Sequence, residues 1–293
     1  MAIFNLGSIN ADYFYGLDHL PAAGETLAAD DFIVGLGGKG ANQSIAAVFG
    51  GAKVIHMGAI GTDGIWARDR LGEIGVDVEH VAVLEMPTGH AIINVDREGE
   101  NSIVIFSSAN VAQDEERIRA ALDLARKDDV CILQNETNLV RFTAELAHQK
   151  GMRVIYSAAP FDADHAAGVL PFVDLLVVNE VEAAQLSQAL GVGADKLPVP
   201  EVLITKGGDG AEYRAGATEI SVAAFEVQPV DTTGAGDTYL GFFVAGIDAG
   251  IDIKGAMTFA AAAAAIQVTR QGTAEAIPKL DEVEEFLEQR LGG

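Results

Sequence analysis

Short apolar runs bounded by turn residues recur at 2–6, 53–58, 130–134, 153–157, 174–178 and 202–205. Runs of that length with little polar alternation describe strands buried on both faces of a sheet. Between them apolar residues return at helical spacing, over about 38–50, 64–74, 115–127, 138–149, 180–190, 234–249, 254–270 and 281–291. Strand and helix alternate, so the pattern predicts an α/β fold: a three-layer sandwich around a mostly parallel sheet. Two segments depart from it. Residues 11–35 and 87–107 alternate apolar and polar positions without a helical stretch, as in Thr88-Gly-His-Ala-Ile-Ile-Asn-Val-Asp96 and Ser102-Ile-Val-Ile-Phe106. They predict antiparallel strands that leave the main sheet and form a small β-sheet lid over one end. No repeat or low-complexity linker divides the chain, so 1–293 reads as a single domain with that lid.

Composition narrows the function. The chain has 293 residues, 49% of them hydrophobic, enough for a sizeable core. A net charge of −24 excludes a basic nucleic-acid surface, and an anionic substrate must be met by local donors rather than by the overall field. The single cysteine, Cys131, lies in Val130-Cys-Ile-Leu133 and reads as a buried structural thiol. The six histidines show no metal-ligand spacing. The N-terminus lacks the basic region of a signal peptide, and the alanine-rich run 259–268 is too short to span a membrane. That run predicts a buried helix packed closely on a neighbour. These features predict a cytoplasmic protein without a membrane partner.

The most informative stretch is Val230-Asp231-Thr-Thr-Gly234-Ala-Gly236-Asp237-Thr, which opens a long apolar helical pattern. A helix start carries unpaired N–H groups and the positive end of the dipole, so it binds anions. Gly234 and Gly236 let a ligand approach the backbone. Asp237 is then a carboxylate held beside the anion site, suited to removing a proton from an attacking hydroxyl. A solvated N-cap gives the same local sequence.

A second glycine-rich turn, Gly35-Leu-Gly37-Gly38-Lys39-Gly40-Ala-Asn42-Gln43, has dinucleotide-type spacing. It lacks the acid about 20 residues on, which weakens a dehydrogenase reading, and Gly40 stands where a P-loop needs Ser or Thr. What remains is a turn opening a helix with Lys39 and Asn42 on its first turn, open equally to a ligand site and to a plain junction. Asn10, Asp12 and Glu136 each follow a strand, where ligands of parallel sheets bind; an Asx-turn explains the first two as well. Asn179 and Glu182 open a helix and suit either the helix dipole or a hydrated Mg²⁺. Thr205-Lys-Gly207-Gly208-Asp-Gly210 either passes a nucleotide or turns a hairpin.

Taken in order, these stretches resemble the ribokinase-like (PfkB) family of carbohydrate kinases. Gly37-Gly-Lys-Gly-Ala-Asn-Gln43 is similar to the family's N-terminal signature, Asp231-Thr-Thr-Gly-Ala-Gly-Asp237 to its C-terminal one, and Asn179-Glu-Val-Glu182 to its Asn-x-x-Glu motif. Further likenesses, at Gly7-Ser-Ile-Asn10-Ala-Asp12, Pro21…Gly24-Glu-Thr, Thr88-Gly-x-Ala91, Glu98-Gly-Glu-Asn101 and Thr269-Arg-x-Gly272, fall in the ribokinase branch. The resemblance implies phosphoryl transfer from ATP to a sugar's primary hydroxyl, D-ribose foremost, with another furanose, a keto-sugar or a nucleoside as alternatives and a non-catalytic sensor as a remote one. It implies that Asn10, Asp12, Gly38, Lys39, Asn42 and Glu136 bind sugar hydroxyls, with Ala91, Ile93 and Ile105 covering the apolar side. It implies that Asn179, Thr205, Lys206, Gly207, Gly208, Asp209, Gly210 and Gly236 meet ATP. Gly234, Ala235, Gly236 and the Asp237 amide would form the anion hole, and Asp237 would be the base. Asn179 and Glu182 would hold Mg²⁺ through water. Asp231, Thr233, Arg270 and Gly272 would hold a monovalent cation, K⁺. Pairing of lids into a homodimer is implied too, since a small half-apolar sheet cannot bury both faces alone. Two departures stand out. The connection from Asn179 to Thr205 is short, which predicts loss of a covering helix. Ala276 replaces a hydroxyl residue beside the cation, which predicts weaker K⁺ dependence.

Overall fold

The computed structural model describes residues 1–291. The first half comprises β1 (Ala2–Leu6), β2 (Asn10–Gly16), β3 (Asp31–Gly37), α1 (Lys39–Phe49), β4 (Lys53–Gly61), α2 (Ile65–Ile74), β5 (Val81–Leu84), β6 (Gly89–Val95), β7 (Asn101–Phe106), α3 (Glu115–Leu122) and β8 (Val130–Gln134). The second comprises α4 (Val140–Gln149), β9 (Arg153–Ser157), α5 (Ala163–Val169), β10 (Leu175–Asn179), α6 (Glu180–Leu190), β11 (Glu201–Thr205), β12 (Ala211–Ala215), β13 (Thr218–Val222), α7 (Ala235–Asp248), α8 (Ile253–Gln267) and α9 (Leu280–Leu291). The large sheet runs β13-β12-β11-β10-β9-β8-β1-β4-β5. It is parallel from β5 to β11 and antiparallel only in the edge hairpins β11–β12–β13.

The strand period of two sorts the central residues into two cores. Ile3, Val130, Ile132, Ile155, Leu175 and Leu203 enter one, with Ala46 of α1, Leu71 of α2, Phe242 of α7, Ala260 of α8 and Val283 of α9. Phe4, Cys131, Leu133, Tyr156, Leu176 and Val202 enter the other, with Leu122 of α3, Ala144 of α4, Ala166 of α5 and Leu186 of α6. Helices therefore cover both faces, as the sequence pattern predicts. Alanine-rich α8 packs closely on α7: a Cβ added at Gly246 would lie 3.3 Å from the Ala256 Cα. Among the described residues no helix is long and apolar enough to cross a membrane.

Several expectations are corrected. Strands β12 and β13, at one edge of the sheet, carry no apolar run of the predicted kind, since Glu212, Arg214, Glu219 and Ser221 alternate there, and β5 at the other edge is a four-residue apolar run, Val81-Ala-Val-Leu84, outside the predicted strands. Helix α5 is too short at 7 residues to display a period. Helix α3 stops at Leu122, not 127. The short connection after Asn179 leaves no bare sheet: α6 supplies Ala183 and Leu186, Leu197 packs beside them, and Val202 and Ile204 of β11 are buried.

The smaller sheet is ordered β3-β2-β6-β7. Its outer pairs, β2–β3 and β6–β7, are antiparallel as predicted, but the central pair β2–β6 is parallel. The reason is topological. Strands β1, β4 and β5 all point the same way, and β2 continues from β1 as β6 does from β5, so both leave the same end of the large sheet.

Candidate active site

Two glycine contacts bring the site together. A Cβ at Gly40, in the first turn of α1, would lie 2.3 Å from the Cα of Gly7, just beyond β1. Only glycines allow that approach, which seats α1 on the end of the sheet. At the crossing of α1 and α7, a Cβ at Gly241 would lie 2.4 Å from the Ala46 Cβ and 2.8 Å from the Ala47 nitrogen. The first turn of α7 is thereby pressed against the first turn of α1. Asp237, 7% exposed, accepts from Asn42 Nδ2 at 3.2 Å through Oδ2 and from Gln43 Nε2 at 2.9 Å through Oδ1.

Helix α7 begins at an N-cap glycine, Gly234, with a left-handed φ of 77°. The Ala235 N–H donates to the Thr232 carbonyl at 3.3 Å and that of Thr238 to the Gly234 carbonyl at 2.9 Å. Among the described residues the N–H groups of Gly234, Gly236 and Asp237 have no acceptor. A Cβ at Gly236 would meet nothing within 4 Å, so the turn faces open space. Of the four residues predicted for the anion hole, Gly234, Gly236 and Asp237 keep free N–H groups among the described residues, whereas the Ala235 donor is engaged. Asp237 is no solvated cap: its side chain makes no capping bond and is buried.

The sequence-predicted sugar residues gather beside this turn. The Glu136 carboxylate accepts from the Lys39 backbone N–H at 3.1 Å and from the Ser8 hydroxyl. The negative charge of Asp237 holds the Lys39 ammonium above its usual range, with Glu136 and Glu182 adding to it and burial opposing. Asn10 and Asp12 lie within β2 rather than in a turn, both 5% exposed. Burial, with the charges of Glu136 and Glu275, pushes the Asp12 carboxyl up to about 7. A Cβ at Gly37 would overlap that carboxylate at 1.9 Å, so β3 needs glycine where it passes Asp12. Asn42 Oδ1 is buried without a partner. Ala91 and Ile93 are buried on the face of β6 that carries Asp12 in register, whereas Ile105, opposite Ala91, is 57% exposed.

Residues the sequence reading missed hold these in place. Asn110 donates through Nδ2 to Asn10 Oδ1 at 2.7 Å and accepts from the Ile9 N–H at 2.9 Å. Asn10 therefore turns its own N–H groups to the pocket. Asn110 sits on a short turn that opens at Ser108, a non-glycine residue at φ 39°, a strained value of the kind that collects at functional sites. The polar run directly after β7 was the available signal. Gln43 carried a signal only as part of the Gly37–Gln43 signature.

The remaining predicted residues divide. Thr205 to Gly210 form the hairpin between β11 and β12, with open space at Gly207 and Gly208. The Lys206 ammonium is engaged by Glu212. Asn179 and Glu182 form a capping box, with Glu182 N donating to Asn179 Oδ1 at 2.8 Å and Asn179 N donating to Glu182 Oε2 at 2.9 Å. Glu182 Oε1 has no partner among the described residues, and burial holds this carboxyl above its ordinary value. One free carboxylate oxygen fits a cation held through water, not a ligand cage; no group of three or more His, Cys, Asp or Glu among the described residues could hold a metal. Asp231 accepts from the Thr233 N–H at 2.9 Å and the Gly272 N–H at 3.1 Å, tying together the two segments predicted for K⁺. Each Asp231 oxygen keeps a further acceptor site and the Arg270 guanidinium pairs with Glu282, so the Asp231 carboxylate and backbone carbonyls are what these segments offer a cation.

The chain is similar to known proteins over nearly its whole length. Ribokinase from Haemophilus influenzae is 36% identical over 300 residues, covering 97% of each chain. Deoxyribokinase from Salmonella typhi is 30% identical over 303 residues, covering 98% of this chain and 99% of its own. The structure of Arabidopsis thaliana ribokinase complexed with ribose and ATP superposes with a TM-score of 0.84 at 28% identity, covering 98% of each chain. The family model described as pfkB family carbohydrate kinase matches residues 3–280. With that match around Asp237 and its donor-lined helix start, the chain belongs to the pfkB family of carbohydrate kinases and is a phosphotransferase.

Proposed function

We propose that this kinase transfers the γ-phosphoryl group of ATP to the primary hydroxyl of D-ribose, giving ribose 5-phosphate. The observation that carries the reading is the first turn of α7: a buried carboxylate beside free N–H donors, facing open space next to Lys39 and the Asn10, Asp12 and Glu136 cluster. Asn10 donates to a sugar hydroxyl through Nδ2. Asp12, Glu136 and the unpartnered Asn42 Oδ1 accept from others, and the Gly38 backbone and Lys39 complete the pocket. The primary hydroxyl points at Asp237, which accepts its proton as the new O–P bond forms and the bond to the β-phosphate oxygen breaks, releasing ADP. The N–H groups of Gly236 and Asp237 offset charge on the transferring phosphoryl oxygens, where one such donor is worth about 10²–10³ in rate.

The Thr205–Gly210 hairpin lies along the nucleotide, with its glycines admitting close approach. Asn179 and Glu182 hold Mg²⁺ through water. Bound there, Mg²⁺ supplies neutralisation of the phosphate charge. The smaller sheet acts as a lid that excludes water as a competing nucleophile. Its exposed Phe32, Val34, Val104 and Phe106 suit a homodimer formed lid to lid, and a monomer by light scattering at micromolar concentration refutes that pairing. The Asp231 carboxylate and the carbonyls of the Asp231–Thr233 and Arg270–Gly272 segments suit K⁺, with a dependence weakened by Ala276. A reaction that uses ATP and a free sugar belongs in the cytoplasm.

A second reading, 2-deoxyribose as the sugar, is favoured by the similarity to a deoxyribokinase. ATP-dependent phosphorylation of ribose, 2-deoxyribose, fructose, 2-keto-3-deoxygluconate and adenosine, each with K⁺ or Na⁺, separates the readings. Preference for ribose supports the first, preference for 2-deoxyribose the second, and preference for adenosine or a hexose overturns the pocket assignment.

A further inference from the structure

Behind the candidate base lies a buried polar network that none of the proposed ligand contacts uses. Asn5 of β1, His56 of β4 and Gln134 of β8 sit on three neighbouring strands, under Gln43 and Ser44 of α1, and none is more than 1% exposed. Asn5 Nδ2 donates to the Gly40 carbonyl at 2.9 Å. Gln134 Nε2 donates to Asn5 Oδ1 at 2.8 Å and to Gln43 Oε1 at 2.7 Å. Gln43 Nε2 then donates to Asp237 Oδ1 at 2.9 Å.

The direction of every bond in this path follows from its first member. A backbone carbonyl can only accept, so Asn5 must present its amide nitrogen to Gly40 and its oxygen to Gln134. Gln134 must answer with nitrogen, which leaves its own Oε1 buried without a partner. A flip of Gln134 would satisfy nothing and set oxygen against oxygen twice. Gln43 must therefore turn its oxygen to Gln134 and its nitrogen to Asp237. A branch ends the same way: His56 Nε2 faces the Gly7 carbonyl at 3.1 Å and must carry the hydrogen, so Nδ1 accepts from Ser44 at 2.8 Å. Burial lowers the imidazole to about 4, in keeping with that neutral form.

We propose that Gln43 and Gln134 are positioning residues for phosphoryl transfer: the Gly40 carbonyl, through Asn5 and Gln134, fixes the Gln43 amide so that it always donates to Asp237 and aims the carboxylate at the sugar hydroxyl. The inference rests on the reading of Asp237 as the base. Gln134 touches neither base nor substrate, so its effect must travel through Gln43.

The test compares Gln43→Met, Gln134→Met, the double variant and Ser44→Ala, reading kcat, the KM for sugar and for ATP, and thermal stability. Methionine keeps the volume and removes the amide. Gln43→Met and Gln134→Met are expected to lower kcat by ~10–100-fold, the scale of a misaimed reacting group, with both KM values within about twofold. The double variant is expected to be no slower than Gln43→Met alone, because one path is cut twice. Ser44→Ala removes a side branch, the second acceptor of Asn5 Nδ2 at 2.9 Å, and leaves the line from the Gly40 carbonyl through Asn5, Gln134 and Gln43 intact, so its kcat is expected to stay within about twofold. Full turnover in Gln43→Met, multiplying losses in the double variant, or an equal loss in Ser44→Ala overturns the proposal. Should Gln134→Met not fold, Gln43→Met alone decides through its kcat and KM. An inactive Asp237→Asn beside a fully active Gln43→Met removes this inference only, whereas an active Asp237→Asn removes the base assignment beneath it.

Discussion

Replacing Gly241 by alanine inserts one methyl group where α1 and α7 cross. The new carbon would lie 2.4 Å from the Ala46 Cβ, 2.8 Å from the Ala47 nitrogen and 2.8 Å from the Gln43 carbonyl oxygen. Two of these neighbours are backbone and cannot rotate away. Against an optimal carbon–carbon separation of about 3.5 Å, the shortfall at Ala46 is roughly 1 Å, so the helices must part by that order. Overpacking of this kind costs about 1–3 kcal/mol, and the better helix propensity of alanine returns about 1 kcal/mol. The expected net loss is about 0–2 kcal/mol, or up to roughly 8 °C in Tm. Activity should suffer more than stability. Asn42 and Gln43 on α1 hold Asp237 on α7, and a misplacement of about 1 Å at a reacting group costs on the order of 10²-fold in rate. Gly72 in α2 is the control. Its added Cβ would meet only the Val78 side chain, at an ordinary 3.6 Å, so Gly72→Ala should be neutral or stabilising by up to about 1 kcal/mol with normal turnover. Calorimetry and steady-state kinetics on both variants decide. A Gly241→Ala protein with unchanged Tm and unchanged kcat would refute the tight crossing as the device that seats the base.

Gly89→Ala should act on the sugar alone: its Cβ would lie 2.1 Å from Asn110 Nδ2 and 2.7 Å from Asn10 Oδ1, breaking that amide pair. Loss of about one to two hydrogen bonds' worth of sugar contact predicts a sugar KM raised by ~10-fold with the ATP KM unchanged, and an equal rise in both would contradict the pocket. The raised Asp12 carboxyl makes stability depend on pH. The folded protein keeps a proton that the unfolded chain releases above 3.8, so Asp12's contribution is full below that value and is lost as pH rises through about 7. Urea unfolding at pH 5 and pH 8 should therefore show a steeper decline for the wild type than for Asp12→Asn, and parallel declines would count against the buried carboxyl.

Much of this architecture is legible in the sequence because the central strands are buried on both faces and carry uninterrupted apolar runs. The helix starts at Lys39 and Ala235 are legible for a different reason, since glycines cluster where backbone must approach backbone or ligand. Edge strands such as β12 give no such signal: Glu212 and Arg214 alternate with buried residues and read as loop. The parallel pairing of β2 with β6 cannot be read from their alternation, which is the same for either direction; only the shared direction of β1 and β5 decides it. The site is legible where a side chain belongs to a motif and illegible where it supports one. Asn10 and Asp237 stand at recognisable junctions, whereas Asn110 and Gln134 reach them from 100 and 103 residues away in sequence, so that only the folded chain shows the pairing or the path.

The central claim is that Asp237 takes the proton from the sugar hydroxyl, and single-turnover phosphorylation by Asp237→Asn tests it most directly. The asparagine keeps the size of the side chain, so sugar and ATP should bind as in the wild type while the phosphoryl-transfer rate falls by ~10²–10⁴-fold. A transfer rate within tenfold of the wild type, with binding intact, would contradict the account.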